Sequence, residues 1–565
     1  MRFLCLFLFP CLLNAREVYF QQEVNYNITA TLDDKTHTLT GTVEMTYINH
    51  SPDTLNEIWI HLWGNAFKNR KTAFANQKLR QGSSRFYFAD DDDLGYYKNL
   101  DFQTDGQKAV LKYHPEHPDI AVLHLNTPLM PGAKTLIATP FLLKIPASFS
   151  RLGHVKTSYQ MTQWYPKPAV YDRKGWHPMP YLDQGEFYSE FGNFDVTLTL
   201  PQNYVVGATG TLQTPSEQQF LREKEHLSRL ALSDKVNAKT DTFPASSAVL
   251  KTIRYTAEKV HDFAWFADKR FFVLKDTAQL ANGRTVDCWA MFTKEEADLW
   301  EKGAFYVRRA VEFYSQHIGA YPWPHATAIH SALSAGGGME YPMITVIANS
   351  GDAKSLDEVI THEVGHNWFY GILASHERLH AFQDEGFNSY YEDRYMRQYY
   401  THGVLDDALP KWLFNTKRNG SIGELALLLL AREHKDLPAN SPSDHFMSLD
   451  YGVQTYMKPA WHLRWLEQSA GKEQFDKAMQ HYFEQWKFKH PYPEDVYQAW
   501  HEAGMDAPWF ITAMNTTAKA DFKLISVEKD PAVENKWLLR VENRSSVNGP
   551  LSVTALRKNE VVKTE

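Results

Sequence analysis

Cysteine is scarce in this chain, with three in 565 residues, too few for a disulfide framework. Positive charge is not in excess: 59 Lys and Arg face 67 Asp and Glu, a formal charge of -8, which sets aside a polybasic nucleic-acid binder. After the first few residues no apolar run approaches the about eighteen that a membrane-spanning helix needs. There is no solenoid-type repeat, and Gly (29) and Pro (27) are used at ordinary rates, so collagen-like and disordered classes are excluded. What is present is 43% hydrophobic and 14% aromatic residues, enough to bury large cores. At about 150 residues per domain, the length predicts a multidomain globular protein.

Residues 1–15, MRFLCLFLFPCLLNA, put one basic residue, Arg2, ahead of an apolar stretch and then Ala15 before Arg16-Glu17. That is the layout of a secretory signal peptide. Phe9-Pro10 before Cys11 does not suit a lipoprotein. Removal of the leader would take Cys5 and Cys11 with it and leave Cys288 as the lone thiol. The expectation is an exported protein, periplasmic, secreted or at the cell surface, with no membrane span in the mature chain.

From 16 to 272 the pattern is mostly β. Leu39, Val43, Met45 and Tyr47 alternate with Thr and Glu, residues 194–200 repeat the alternation, and turn clusters such as Met130-Pro131-Gly132 separate the runs, which predicts a large antiparallel β domain. Near residue 293 the period changes. Thr293 and Glu296 form a capping-box pattern, and Leu299, Gly303, Tyr306, Val307, Ala310, Val311 and Tyr314 recur at helical spacing. Residues 273–515 therefore read as an α-rich domain. Short alternating segments at 521–527, 536–543 and 550–557 predict the opening strands of a β-sandwich over 520–565, apparently incomplete.

The strongest chemical signal is Thr361-His362-Glu363-Val364-Gly365-His366, which reads His-Glu-x-x-His. On a helix, side chains four apart share a face, so His362 and His366 can aim ring nitrogens at one ion while Glu363 reaches beside it. Ser355 and Glu358 give a second capping-box pattern just upstream. Two imidazoles and a carboxylate with an open fourth position suit zinc. Eighteen residues after His366 comes Glu385, on what reads as a second helix, a plausible third ligand. His376 and His380 are also four apart but have no acid in the base position, and they read as surface or packing residues. Upstream, Gly336-Gly337-Gly338-Met339-Glu340 lets backbone approach a ligand, with a carboxylate at the end of the approach. Downstream, Tyr456-Met457-Lys458-Pro459 precedes an amphipathic helix.

In this order and spacing, the four elements resemble the M1 family of zinc aminopeptidases, the gluzincins. The family pattern is Gly-x-Met-Glu-Asn, His-Glu-x-x-His, Glu after eighteen residues, then Tyr-x-Lys-Gly. The resemblance covers 16 to about 515 and implies a multidomain α+β fold: an antiparallel, saddle-like β N-domain, a thermolysin-like α-rich zinc domain and a partial C-terminal β-sandwich. It implies one zinc ion per chain held by His362, His366 and Glu385. Glu363 would act as general base, Tyr456 as oxyanion donor, and Glu340, with Gly337 and Gly338, as the site for the free N-terminus of a peptide substrate. The family's N-domain Gln is matched to Gln160, with Gln163 as runner-up. Tyr341 and Pro459 depart from the family's Asn and Gly. Two other readings go with the resemblance, an epoxide hydrolase-type side activity and a catalytically inactive peptide-binding scaffold.

Overall fold

The computed structural model describes residues 19–233, 242–331, 337–400, 422–534, 536–551, 554–557 and 560–564. The leader-like residues 1–15 lie outside them, as do Ala335 and Gly336. In β1 (Glu23–Asp33) and β2 (Thr38–Ile48) the apolar side chains Val24, Tyr26, Ile28, Ala30 and Leu32, then Leu39, Val43, Met45 and Tyr47, all turn inward. The period of two thus gives one wet and one dry face. β2 pairs antiparallel with β3 (Lys134–Lys144). β1 pairs with β4 (Gly192–Pro201), which pairs antiparallel with β5 (Leu250–Val260). The five lie side by side in the order β5-β4-β1-β2-β3 within a nine-stranded sheet, and two four-stranded sheets lie elsewhere in the β-rich part. The β1–β4 pair is parallel, with Tyr26 opposite Phe194, a departure from the antiparallel expectation. Alternation fixes which face is buried and carries no information about strand direction.

Among the described residues two α-helices interrupt this region, which the sequence reads as mostly β. α1 (Ala73–Arg80) starts at Thr72, whose side chain accepts from the Ala75 N–H, and α2 (Pro215–Ser233) carries Pro in its first turn. α2 docks on the next sheet, where the Val273 N–H donates to Ser228 Oγ at 2.9 Å.

That sheet holds β6 (Phe272–Gln279), β7 (Thr285–Phe292), β8 (His325–His330), β9 (Gly338–Tyr341) and β10 (Ile344–Ile347), in the order β6-β7-β8-β10-β9. β9 turns back antiparallel to β10 and forms the edge. The helix predicted from Thr293 is broken: the Thr293 hydroxyl bonds His330 Nδ1 at 3.1 Å instead of capping. A 3-10 turn and one α-turn follow before α3 (Gly303–His317), whose buried residues include Tyr306, Val307, Ala310, Val311 and Tyr314, as the spacing predicts. α4 (Ala353–Gly365) begins at Asp352, which accepts from the Ser355 N–H at 2.8 Å, so the cap lies three residues ahead of the one read from sequence. α5 (Glu385–Tyr399) packs against α4 and against α6 (Lys458–Ala470).

Beyond residue 520, β11 (Phe522–Lys529) pairs with β12 (Trp537–Asn543), and β13 (Thr554–Arg557) with β14 (Glu560–Thr564). These are two separate hairpins where three strands were expected, and Leu524, Val527, Trp537 and Leu538 stay exposed. Among the described residues no helix is long and apolar enough to cross a membrane. Cys288 is buried on β7, where burial pushes its thiol up to about 12 and keeps it unreactive.

Candidate active site

α4 carries His362 and Glu363 and stops at Gly365, so His366 follows as its C-cap with the backbone still helical (φ -61°, ψ -15°). The two Nε2 atoms lie 3.1 Å apart, and Oε2 of Glu385, the first residue of α5, is 3.3 Å from each. A tetrahedral zinc ion with bonds of about 2.0 Å holds its ligand atoms about 3.3 Å apart, so these three donors already form one face of that tetrahedron. Their chemistry fits the ion as well. His362 Nδ1 donates to Glu392 Oε2 at 2.8 Å and His366 Nδ1 to Asp384 Oδ1 at 2.7 Å. Both rings are thereby locked with Nε2 turned inward, as carboxylate–histidine pairs do around zinc.

Glu363 is buried beside this triangle and its Oε2 has no protein partner. Burial, against the pull of His362, pushes its carboxyl up to about 8. The glycine at 338 has a steric reason: a Cβ there would sit 2.3 Å from Glu363 Oε1, so only a bare backbone lets β9 pass this close to the carboxylate. Glu340, two residues on, is buried with Oε1 unpartnered. Tyr456 stands in a π-helical turn, Gly452–Met457, before α6. Its hydroxyl donates to Glu385 Oε1 and its ring stacks on His362 with centroids 6.0 Å apart. Burial, then Glu385, holds the phenol well above its ordinary value, so it stays a donor. Pro459 falls in the first turn of α6, where a missing N–H costs nothing.

His362, His366, Glu385, Glu363, Glu340, Gly337, Gly338 and Tyr456 all line one cavity of about 650 Å³. Gln160 does not line it: its amide bonds Ser148 Oγ at 2.9 Å and the Ser150 carbonyl at 3.0 Å. Gln163 donates to Asp262 at 3.2 Å. Both also meet the zinc-carrying part, Gln160 Oε1 accepting from Ser331 Oγ at 3.3 Å and Gln163 Oε1 from the Tyr341 hydroxyl at 3.4 Å, partners that the local sequence around Trp164 does not announce. The N-terminal part lines the cavity with Gln81, Asp183, Gln184 and the buried Glu186. Burial, opposed by Arg151, pushes its carboxyl up to about 8. No motif marks it. Asp384 and Glu392 were closer to view, flanking Glu385 by one and seven positions on the same helical segment. His376 and His380 are packing residues, His376 stacked on Tyr188 and His380 bonded to Asn440 at 2.7 Å.

A sequence profile described as the Peptidase family M1 domain matches residues 306–515. The chain carries a family M1 peptidase domain. The chain is 27% identical over 251 residues to leucine aminopeptidase 2 of Sclerotinia sclerotiorum, covering 40% of this chain and 38% of that one. It is 26% identical over 247 residues to a leukotriene A-4 hydrolase homolog of Botryotinia fuckeliana, covering 40% and 36%. The matches thus span well under half the length of these relatives. In fold, the chain superposes on an M1 zinc metallopeptidase from Deinococcus radiodurans with TM-score 0.55 and 14% identity, covering 87% of this chain and 92% of that one. Legionella pneumophila aminopeptidase A, solved with aspartic acid, gives 0.62 at 12% identity, covering 97% and 56%.

Proposed function

We propose that this chain is a zinc-dependent aminopeptidase that removes single residues from the free N-terminus of peptides, outside the cytoplasm. The observation that carries this reading is the meeting, in one cavity, of a three-donor zinc face with two buried carboxylates that have unpartnered oxygens, Glu363 and Glu340. Zinc held by His362, His366 and Glu385 would polarise the scissile carbonyl and lower the pKa of water from about 15.7 to about 7. Glu363 takes a proton from the attacking water and returns it to the leaving amine. Tyr456 donates to the oxyanion of the tetrahedral intermediate, a contact of a kind worth about 100-fold or more in rate. Glu340 accepts the substrate ammonium, and a buried acceptor for a cation restricts cleavage to chain ends. β9 pairs only with β10 among the described residues, which leaves its outer backbone groups for an extended peptide.

Of the two curated relatives, one is named an aminopeptidase and the other a leukotriene A-4 hydrolase homolog. The inactive-scaffold alternative is disfavoured because ligands, base and phenol are all in place, and no feature of the cavity favours epoxide opening. The zinc-loaded protein is expected to release the N-terminal residue from aminoacyl amides and short peptides, to stop in a chelator and to recover on zinc addition. No release from any of a broad panel would end the proposal. The leader-like residues 1–15 support export. N-terminal sequencing of protein recovered from outside the cytoplasm should start near residue 16, and an intact Met1 there would contradict it.

A further inference from the structure

Behind the π-helical turn Gly452–Met457 lies a second cavity, of about 450 Å³, that shares no lining residue with the zinc cavity. The turn stands between the two. Tyr456 and Met457 line the zinc cavity, while Gln454 and Lys458, two residues to either side of Tyr456, line the other. The helix Ile422–Arg432 and α6 wall the second cavity, and residues 517–520 complete it.

Two polar atoms of this wall have nothing to bond. Gln454 is 1% exposed and its Oε1 has no partner, although an unpaired buried acceptor is costly. The indole Nε1 of Trp461, which can only donate, is likewise buried and unpartnered. One orphan acceptor and one orphan donor on a single hollow are groups that a ligand would satisfy. The charge is lopsided as well. Lys458, Arg464 and Lys519 line the cavity against one carboxylate, Asp436. Lys519 takes Asp436 at 2.5 Å, and Arg464 lies 3.9 Å from Asp393, which is not part of the wall. Among the described residues Lys458 Nζ donates to the Thr516 carbonyl at 3.1 Å and to no carboxylate. Burial, partly offset by Asp436, pushes this ammonium down to about 8, so its charge is poorly compensated where it stands. His462 donates through Nδ1 to the Lys458 carbonyl at 2.6 Å and is pushed down to about 4 by burial, so it adds no charge at neutral pH. Trp461 and Trp465, one turn apart on α6, and Leu427 supply apolar wall. A ligand that satisfies these groups has a flat apolar body, an N–H for Gln454 and a carboxylate whose two oxygens serve Lys458 and the Trp461 indole.

We propose that this cavity is a second binding site, separate from the zinc face, for a planar aromatic carboxylate that carries an N–H donor. The site does not depend on peptidase chemistry. Indole-3-acetate is the probe, titrated calorimetrically into the zinc-loaded full chain. It should bind about tenfold to hundredfold tighter than the neutral indole-3-ethanol, the difference that a contact to a charged group makes. That preference should vanish in Lys458→Met. Methylating the indole nitrogen of the probe should weaken binding about threefold to tenfold in the unaltered protein and not in Gln454→Met, because the two changes remove one and the same hydrogen bond. Equal binding of acid and alcohol, a preference kept by Lys458→Met, or a methyl effect kept by Gln454→Met overturns the proposal. So does loss of binding when zinc is chelated, which would put the carboxylate on the metal. Gln454→Met exchanges an unpartnered buried acceptor for an apolar chain of similar shape, so it should melt no lower than its parent; a drop would mean that the amide already had its bond and overturns the site. Should Lys458→Met fail to fold, the acid-against-alcohol comparison and the methyl effect on the unaltered protein decide alone.

Discussion

Glu363→Gln should bind zinc as the unaltered protein does and lose about 100-fold to 10,000-fold in kcat, the span that general acid–base catalysis covers. The amide is isosteric, so the close passage of Gly338 against this side chain is kept. What disappears is the ability to accept a proton from water and hand it on. KM should change little, because Glu340, the carboxylate assigned to the substrate ammonium, is untouched. Metal analysis beside the kinetics makes the test sharp, since donor atoms of Glu363, Glu340 and His366 also lie within 4.8 Å of one another. Loss of zinc from Glu363→Gln would make Glu363 a ligand, and full activity would remove it from the mechanism. A Tyr456→Phe protein measured alongside should keep its metal and fall by about 100-fold, through loss of the oxyanion donor, with the hydroxyl's bond to Glu385 lost as well.

Asp262→Ala is expected to destabilise the protein by about 3–5 kcal/mol, the cost of breaking a buried ion pair from one side. Lys167 Nζ lies 2.8 Å from Asp262 Oδ1 and both side chains are 1% exposed. Asp262 also accepts from Tyr165 at 3.0 Å, from Gln163 and from the Phe263 N–H, so its loss strands an ammonium and three donors in the N-terminal core. Burial opposes ionisation, yet Lys167 and the Phe263 amide hold this carboxyl below its ordinary value. A depressed carboxyl contributes stability that is present above the unfolded carboxylate range and is lost as pH falls through the folded value. Denaturant unfolding at neutral pH should show the full difference, and the variant and its parent should converge in acid. A difference below about 1 kcal/mol at neutral pH would mean that the pair adds nothing beyond a surface bridge.

The parts of the site legible in the sequence are those in which chemistry and spacing coincide within a single helix or strand. His362, Glu363 and His366 share one helix, Glu385 opens another after a fixed interval, and Gly338 must be bare for β9 to pass Glu363. The zinc face follows from those positions. Glu186 and its partner Arg151 could not be read this way, since each is placed by residues far away in the chain, and nothing local separates Glu186 from any other glutamate. The same holds for Gln160, whose neighbours in sequence suggested a substrate contact while its neighbours in space are Ser148 and Ser150. Alternation revealed the buried faces of β1, β2 and β4 but neither the parallel direction of the β1–β4 pair nor the polar face of α2. The π-helical turn that carries Tyr456 has no sequence signature; such turns recur at functional sites because the extra residue re-aims a side chain.

The loop at 180–186, which sets Asp183, Gln184 and Glu186 in the wall of the zinc cavity, also bears on the order in which the molecule is completed. Its holders lie far off in the chain: Gln77 about a hundred residues earlier, Arg378 nearly two hundred later. Contacts of such long separation form late in folding. With almost no bonds of its own, the loop can settle only after helix α1 and Arg378 have been brought to the same place. Glu186 therefore reaches its position mainly through the N-terminal part, which supplies Gln77, Asp119 and Arg151, with Arg378 added from the zinc-carrying part. The zinc-face donors all sit on or at the end of α4 and α5, whereas the loop is complete only when both parts of the chain are in place.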